Sequence, residues 1–483
     1  MAYKHGVYTS EVATSIIPAV NTTAGLPVVF GTAPIHLATD RAKSNRPILC
    51  YSYQEAVEQF GYSKNWQEYT LCEVMYSQFS LYNRSPIVFV NVLDANKHKE
   101  AIENRELQLN DKVATIAEPI LLETLKVKKA SEGEALSLGV DYEVAYDDNE
   151  VLNITALDEG QLVTEEITSI FIDCDKLDPS LVNEDDIIGG IDISTGAYKG
   201  LETLNQVFPL YGLVPGIVLA PGWSDKSEVS AVMKAKASNI NSHFKAITIH
   251  DAPTDTVTKY TDVNKWKNDN NFTGENQVLC WPMVKLGDDI YHMSTHALGA
   301  IATTDSSNDD IPYESPSNKS IQIDGICLAN GTEVILGPDE ANYLEGQGIV
   351  TALNFIGGWK LWGNRTCCYP SNTDPKDSFI CIRRMFNWHS QTFIQTYWAK
   401  VDKPINKRLI ETVVDSENIR INGFVSEGIL LGGRIEFLED ENSTTNLLDG
   451  IIKFHTYFTP PTPAREIENV IEYDPSYFSS LFS

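Results

Sequence analysis

The sequence predicts a multidomain α/β protein, and three observations lead to that fold class. The chain has 483 residues, which is too long for one compact core. Near its start, short apolar strands at Pro27–Gly31 and at residues 86–93 flank two helical patterns. A strand–helix–strand order returns between residues 216 and 250, as expected for parallel strands joined by crossover helices.

The first α/β unit contains two predicted helices between its strands. Ser52 followed by Glu55 is a capping-box signature, so a helix is expected to begin there and to end at Gly61. Apolar residues at four-residue spacing predict a second helix over residues 66–82. This strand–helix–helix–strand order is typical of α/β packing.

After residue 94 the sequence pattern changes, and it predicts short strands separated by acidic and Asn/Gly turns. Examples lie at residues 114–122, at Tyr142–Tyr146 and at residues 167–172, and together they predict an inserted β domain. Residues 131–192 contain eighteen acidic side chains and one basic side chain, Lys176. Such a charge run indicates a solvated surface, or an outward-facing module that keeps large assemblies from clumping.

The α/β pattern then resumes. Apolar strands are predicted at residues 216–220 and 245–250, with a helix between them at residues 226–240. A further strand is predicted at residues 278–284, and a helix follows it at residues 293–303. These elements extend the predicted parallel sheet.

The last quarter predicts two helical pieces and a small sheet. Asp402 is a candidate N-cap and Pro404 suits the first turn of the helix that follows it. A second helical piece is predicted at residues 416–425. Strands at residues 434–438 and 450–459 are then expected to pair.

Both ends of the chain predict strands that lack a partner. Apolar and polar residues alternate over residues 466–473, after a Pro-rich spacer at residues 460–463. A lone strand leaves N–H and C=O groups unpaired, so it must pair with a sheet in its own chain or in another subunit. A shorter candidate lies at residues 7–12. The residues assigned to the two strands are Val7, Tyr8, Val12, Ile467, Val470, Ile471 and Tyr473.

Composition argues against several classes of protein. The formal net charge of −29 would repel nucleic-acid phosphates. No apolar run approaches the roughly 18–20 residues of a membrane helix, and the N-terminus lacks the apolar region of a secretory signal. We therefore expect a soluble product made in a cytoplasm. The eight cysteines have no metal-ligand spacing and are expected to be reduced, mostly buried thiols.

The residues suited to chemistry do not form a convincing site. His292 and His296 have the spacing of two helix ligands, but the HExxH pattern is absent and a structural pair is expected. His250 and Asp251 end a strand, where α/β enzymes place catalytic groups, yet no GxSxG or Walker pattern accompanies them. The sequence predicts no catalytic, metal or cofactor site, which favours a structural role.

A short motif near residue 364 carries a family resemblance. The segment Trp362-Gly363-Asn364-Arg365-Thr366 resembles the WG-x-RT motif of contractile-tail sheath proteins of bacteriophages and related injection machines. Residues 31–34, 219–222 and 341–344 and the strand–Pro–strand ending also resemble that family. The match is loose over residues 1–95 and good over 195–483, whereas the acidic insertion matches no family segment.

The motif residues also suggest local roles without the family. Trp362 could fill a core pocket, Gly363 permits a close backbone approach, and Arg365 could pair with a buried carboxylate. All three roles would position the elements that carry the C-terminal strand.

The resemblance implies a division of the chain into an α/β sheath core, an inserted domain and two strand arms. The predicted segments are an N-terminal arm at 1–27, the first part of the core at 28–95, an acidic β-rich outer domain at 96–195, an α/β sheath domain at 196–350, a tube-facing inner domain at 351–459 and a C-terminal arm at 460–483.

The resemblance further implies a structural subunit, not an enzyme, that needs no cofactor. Copies would form a helical homo-oligomer of stacked rings around an inner tail tube protein, with baseplate and tail terminator proteins as further partners and with neither direct nucleic-acid binding nor membrane insertion. Contraction would drive the tube through the host envelope for genome delivery. The expected location is the virion tail sheath, assembled in the host bacterial cytoplasm. Lys403, Lys407 and Arg408 are hypothesised to face the tube, and strands near residues 434–438 and 453–457 to receive the arms.

Three alternatives stay open at the level of sequence. The same architecture could serve a phage-derived bacteriocin or an extracellular contractile injection system. The α/β core could belong to an enzyme of unknown activity, although the missing motifs count against it. The insertion alone could suggest a β-rich adhesin or receptor-binding module, which would leave the WGNRT motif unexplained.

Overall fold

The computed structural model describes residues 24–482, so the strand predicted at residues 7–12, with Val7, Tyr8 and Val12, lies outside the described residues. The first unit contains β1 (Pro27–Gly31), β2 (Ile48–Cys50), α1 (Tyr53–Phe60), α2 (Thr70–Met75) and β3 (Ile87–Asn91). The predicted ends of α1 are confirmed, because the Glu55 N–H donates to Ser52 Oγ at 3.2 Å and Gly61 ends the helix at φ 72°. The second helix begins four residues later than predicted and continues as a π-helical segment, Tyr76–Leu81.

The acidic segment folds around an apolar core of its own. Its elements are β4 (Lys99–Gln108), β5 (Val113–Ile116), β6 (Lys126–Lys128), β7 (Tyr142–Tyr146), β8 (Leu152–Ala156), α3 (Gln161–Thr164) and β9 (Ser169–Leu177). They form two antiparallel sheets, in the orders β4-β9-β6 and β5-β8-β7, around buried side chains such as Val127, Ile154 and Ile172. Lys99 pairs with Leu177, so the chain leaves the core and returns to it at one place.

The next region completes the large sheet. Its elements are α4 (Glu184–Ile188), β10 (Gly190–Ile191), β11 (Tyr198–Lys199), α5 (Leu204–Tyr211), β12 (Ile217–Leu219), α6 (Ser227–Ala237), β13 (Ile247–Asp251), α7 (Tyr260–Asp269) and β14 (Gln277–Cys280). The following elements are β15 (Met283–Leu286), β16 (Asp289–Tyr291), α8 (Met293–Ser306), β17 (Gly325–Cys327), β18 (Glu333–Val334), α9 (Pro338–Glu345), β19 (Ile349–Asn354) and β20 (Trp359–Trp362).

One predicted strand is divided between two sheets. The apolar run at residues 278–284 forms β14 in the large sheet and β15 in a four-stranded sheet of order β16-β15-β17-β18. Pro282 stands at the division, and because proline has no N–H it cannot continue the ladder of a central strand.

The large sheet has the order β2-β3-β1-β12-β13-β14-β19-β20. Its six inner strands run parallel, while β2 and β20 are antiparallel edge strands. Every residue of β1, β3, β12, β13 and β14 is buried, as expected for strands covered on both faces. The predicted α/β fold class is confirmed.

The C-terminal region differs most from the prediction. It contains α10 (Pro375–Ser378), α11 (Ile380–Tyr397), α12 (Lys407–Ser426), β21 (Gly432–Glu436), α13 (Thr444–Leu448) and β22 (His455–Thr459). The helix predicted from Asp402 starts at Lys407, because Asn406 caps it by accepting from the Leu409 N–H at 2.9 Å. Asp402 lies in a turn at φ 62°. The predicted break before residue 416 is wrong, since α12 is continuous.

Short 3-10 turns complete the described chain, at Ile35–Leu37, Leu122–Thr124, Pro179–Leu181, Gly200–Thr203, Trp398–Lys400 and Pro475–Phe482. All eight cysteines are buried and none forms a disulfide. Within residues 24–482, every helix is too short or too polar to span a lipid bilayer.

Candidate functional site

The C-terminal sheet is the first part of the candidate site. Within the part of the chain that the structure describes, β21 and β22 pair only with each other, from Gly432 opposite Thr459 to Glu436 opposite His455. One face packs on the helices, where Ile435 is 1% exposed and the Phe458 ring stacks on His389 at 4.8 Å. These strands lie within two residues of the predicted receiving strands. An isolated two-stranded ribbon is marginally stable, so this packing maintains it.

A helix side chain occupies the outer edge of β21. Asn418 of α12 donates to the Ile435 carbonyl at 3.0 Å and accepts from the Ile435 N–H at 3.0 Å. Because alternate residues of an antiparallel strand direct their main-chain groups away from the partner strand, these bonds identify Ile435 as one that faces away from β22. Asn418 therefore satisfies the groups that a third strand would use there.

The outer edge of β22 has main-chain N–H and C=O groups that β21 does not bond. Ile435 lies opposite Thr456 and Gly433 opposite Phe458, so the main-chain groups of these two β22 residues face away from β21. Among residues 24–482, neither a strand nor a side chain bonds to them. Just before the strand, the Asn442 side chain donates to the Lys453 carbonyl and accepts from the Lys453 N–H. The outer edge of β22 is therefore unpaired along the strand, and the Asn442 side chain closes the segment that precedes it.

The C-terminal arm is the second part of the site. Residues 460–474 belong to no helix or strand, so the strand predicted over residues 466–473 does not form within one chain. The four predicted strand residues are almost fully exposed, with Ile467 at 88%, Val470 at 81%, Ile471 at 86% and Tyr473 at 75%. The apolar side chains of Pro475–Phe482 are exposed as well. An apolar segment this exposed marks an interaction surface.

The WGNRT motif connects the large sheet to α11. Gly363 has φ +125°, and a Cβ there would lie 3.0 Å from Val350 Cα, so the expected close backbone approach is confirmed. Trp362 is half-buried and its indole N–H donates to Asn342 Oδ1 at 3.0 Å. Thr366, fully buried, donates from Oγ1 to the Asp377 carbonyl at 2.7 Å. These bonds attach the end of β20 to the segment that precedes α11.

In the described part of the chain, Arg365 does not form the predicted ion pair with a buried carboxylate. Its guanidinium lies over the Phe379 ring at 3.6 Å and the Tyr369 ring at 4.3 Å, and it donates to Ser378 Oγ at 2.9 Å. No carboxylate of the described residues lies within salt-bridge distance of it. The Asn364 carbonyl accepts from the Ile380 N–H at 2.9 Å and so starts α11. The motif is thus a structural joint held by cation–π and main-chain contacts.

The three residues hypothesised to face a tube are close in sequence and exposed. Lys403 precedes α12, while Lys407 and Arg408 form its first turn. Lys407 pairs with Glu411 at 3.3 Å across one helical turn. Their role stays a prediction, since the structure describes a single chain.

The histidines singled out by sequence have structural partners. His292 Nδ1 lies 2.7 Å from Glu73 Oε2; burial alone would lower the pKa of His292, but the Glu73 charge raises it to about 9. His296 contacts the Tyr82 hydroxyl at 2.8 Å, and burial lowers its pKa to about 3. Burial lowers the pKa of His250 to about 4. Among residues 24–482, no group of three or more side chains is arranged to hold a metal ion.

Comparison with known proteins places this geometry in context. No family model matches the chain. The chain is 27% identical over 500 residues to the tail sheath protein of Burkholderia phage BcepMu, covering 99% of this chain and 98% of that protein. It is 24% identical over 288 residues to the tail sheath protein of Escherichia phage P2, covering 58% and 68% of the two chains.

A solved structure supports the same fold. The sheath complex of an extracellular contractile injection system in the contracted state superposes with a TM-score of 0.58 at 13% identity, over 99% of each chain. These comparisons confirm the resemblance to contractile-tail sheath proteins and the prediction of a structural sheath subunit.

Proposed function

We propose that this chain polymerises as the sheath around an inner tail tube and contracts to drive the tube through a host envelope. The observation that carries the proposal is the presence, among residues 24–482, of both an open β22 edge and an exposed arm that pairs with no strand. Strand addition joins such elements between copies, because main-chain hydrogen bonds give affinity and alternate side chains give register.

The arm residues suit an edge strand of this kind. Ile467 and Ile471 would share one face of the added strand, while Glu466, Glu468 and Glu472 would share the other with Val470. The apolar face would bury against the helices beneath the sheet, and the acidic face would stay in solvent. Thr456 and Phe458 offer four main-chain groups, and at about 0.5–1.5 kcal/mol for each hydrogen bond these contribute about 2–6 kcal/mol. Burial of the apolar face would supply the rest of the link between copies.

The remaining parts of the assembly follow from this arrangement. The N-terminal arm is predicted over residues 1–27, but Ala24 and Leu26 are buried and Pro27 begins β1. The part proposed to extend the same sheet in a neighbouring copy is therefore residues 1–23. The domain around 351–459 would face the tube, and the acidic insertion would face outward, where its charge keeps sheaths apart. Baseplate and terminator proteins would bound the polymer in the virion tail, after assembly in the host cytoplasm.

Contraction would use stored interface energy without a bound nucleotide. Copies rotate and move outward to form more favourable body contacts, while the arms keep the lattice connected. A gain of a few kcal/mol per copy becomes large when it is summed over many copies.

Proline substitutions in the arm test the strand-addition step. Adjacent residues of a strand direct their N–H groups to opposite edges, so of the pair Asn469→Pro and Val470→Pro, at least one should block assembly. The conservative variants Asn469→Ser and Val470→Thr keep the N–H and serve as controls. Electron microscopy of the purified full-length chain should show wide hollow tubes for the native chain and both controls.

Two results would oppose the proposal. One is normal tube formation by both proline variants and by a chain that lacks residues 464–483. The other is a native chain that stays monomeric at high concentration. Circular dichroism of each variant should match the native chain, since residues 464–474 make almost no contact with the body.

The tube-facing hypothesis has a separate test. Reversing Lys403, Lys407 and Arg408 to glutamate should weaken co-assembly with an acidic tube protein and leave tubes of sheath alone intact. Unchanged co-assembly would remove these residues from the tube interface.

A bacteriocin or an extracellular injection system is the second candidate, favoured by the structural likeness to an injection-system sheath. Particles purified with this chain would then carry a tube and baseplate but no capsid or packaged DNA. A DNA-filled capsid on those particles would decide for a phage.

A further inference from the structure

A cavity lies at the carboxyl ends of the parallel strands. From β1 the chain first builds β3 on one side, and later builds β12, β13 and β14 on the other. Connections therefore run in opposite directions from the boundary between β1 and β12, and such a switch point opens a crevice in which α/β proteins bind ligands. The cavity has a volume of about 430 Å³, within the range of small-molecule sites.

Two carboxylates in the cavity wall have oxygens that lack a donor. Asp251, at the end of β13, is 7% exposed; its Oδ1 accepts from the Ser294 N–H at 2.9 Å, but its Oδ2 has no hydrogen-bond partner. Asp225, after β12, bonds to Lys226 through Oδ2 at 2.9 Å, and its buried Oδ1 also has no partner. Buried acceptors are normally paired with protein or water, so these two oxygens can accept from a donor that enters the cavity. The Ser294 hydroxyl and the Trp223 indole N–H are also unpaired among the described residues.

The other charged groups around the cavity are largely balanced. Glu73 is matched by His292, and it also accepts from the His292 N–H at 2.7 Å and from the Thr295 hydroxyl at 3.2 Å. Lys226 balances Asp225, and Asp255 is exposed at the mouth. Within residues 24–482, Asp251 forms no ion pair of its own; burial raises its pKa to about 6, and the nearby His292 charge opposes that rise. When Asp251 is ionised, the buried groups around the cavity carry one negative charge more than positive charges, which a bound cation would balance.

Aromatic side chains complete the walls. Trp66, which is 8% exposed, and Trp223 both line the cavity, together with Met283 and Ile290. Tryptophan is the side chain with the strongest attraction for a cation over its ring, especially where water is excluded. Carboxylate acceptors beside tryptophan rings are suited to an organic cation.

We propose that this cavity binds an organic ammonium group, held by Asp251 and Asp225 against the tryptophan wall. The group could belong to a small amine or to a lysine side chain of a second copy, which share this chemistry. An alkylammonium supplies three N–H donors and an apolar stem, which match the two free oxygens and the mixed walls. Binding by the single chain is independent of the sheath function, and only the step that separates the two sources rests on it.

Calorimetric titration of the full-length chain with n-butylammonium tests the proposal. We expect saturable 1:1 binding, and none for n-butanol, which has the same length but no charge. Asp251→Asn and Asp225→Asn should each weaken binding by about tenfold or more, since each replaces a charged acceptor of the ammonium with a neutral amide oxygen. Asp141→Asn is the matched control, because Asp141 is equally buried and accepts main-chain N–H groups far from the cavity.

Each result decides the question. Absence of saturable binding, equal binding of the alcohol, or unchanged binding by both variants would overturn the proposal. Two cavity variants are used because Asp251 also supports the start of α8, whereas Asp225 does not. Titration of assembled tubes then separates the two sources: a small-molecule ligand still binds there, whereas a lysine of a second copy would exclude the added amine.

Discussion

At the scale of single residues, one buried ion pair joins two helices of the core. Arg384 of α11 donates to both oxygens of Asp305 of α8, with the Nη1–Oδ1 distance 2.9 Å, and both side chains are at most 5% exposed. Arg384→Met should lower the free energy of unfolding by about 3–5 kcal/mol, because it leaves a buried carboxylate unpaired. Urea denaturation measures this loss.

The double variant isolates the cause. Arg384→Met with Asp305→Leu removes both charges, so it should recover most of the lost stability. A double variant as unstable as Arg384→Met would show that packing, rather than the unpaired charge, accounts for the loss.

Buried histidines predict a loss of stability in acid. Burial lowers the pKa to about 4 for His250 and to about 3 for His36, His296 and His389. These side chains take up protons on unfolding below pH 6.5, so stability is present above that pH and is lost toward pH 4, by about 1.4 kcal/mol per pH unit for each. Between pH 6 and 4, Asp251 offsets the stability lost through one histidine. Its raised pKa means that the folded state binds this proton at a higher pH than the unfolded state does.

Urea titrations between pH 7.5 and 5 measure this slope. His296→Asn should reduce the slope by up to about 1.4 kcal/mol per pH unit. His292 acts in the opposite range: its raised pKa supports folding below pH 6.5 and that support is lost as the pH rises through 9. Stability that is flat from pH 7.5 to 5 would contradict the histidine account.

Single residues also show what a sequence can predict. Gly363 was expected at a close backbone approach because only glycine tolerates one, and its φ of +125° agrees. The partners of Arg365 were not predictable, since Phe379 and Tyr369 come near it only after the chain turns into α11. Local backbone conformation can be predicted from a residue and its neighbours in sequence, whereas side-chain contacts between distant residues depend on the tertiary fold.

At the scale of elements, Asn418 decides which edge of the C-terminal sheet is closed. Asn418→Leu would leave the N–H and C=O of Ile435, a residue 1% exposed, without partners. We expect a loss of about 2–4 kcal/mol from two unsatisfied buried groups, measured by urea denaturation. Asn422→Leu, at an exposed position of the same helix, should have little effect. Equal stability of the two variants would mean that water replaces the Asn418 amide.

Elements were predicted well where one local signal dominated. The Ser52 cap and Gly61 fixed α1, and the fully apolar runs identified β1 and β3. Prediction failed at α11, whose buried residues include Arg384, Asn387 and Gln391 and therefore do not form an apolar stripe. It also failed at Asp402, because Asn406 lies closer to the apolar stripe and caps the helix instead.

At the scale of the whole molecule, the acidic module is a separable addition to the core. Lys99 and Leu177 are paired neighbours in one sheet, so the two ends of the module are already adjacent. Replacing residues 100–176 with two glycines should therefore close the chain without strain. The core loses the contact of Leu121, which is 1% exposed and packs against it, and also the contacts of Tyr146 with His36 and of Glu123 with Arg41. The Leu121 contact alone predicts a loss of about 2–4 kcal/mol.

The shortened chain tests whether assembly depends on the core and arms alone. Since the open β22 edge and the C-terminal arm are untouched, tubes should still form and should have a smaller outer diameter in electron micrographs. They should also associate laterally at a lower salt concentration than tubes of the native chain, because the removed segment carries much of the negative charge that salt has to screen. A folded, monomeric core that forms no tubes would show instead that the module contributes to the contacts between copies.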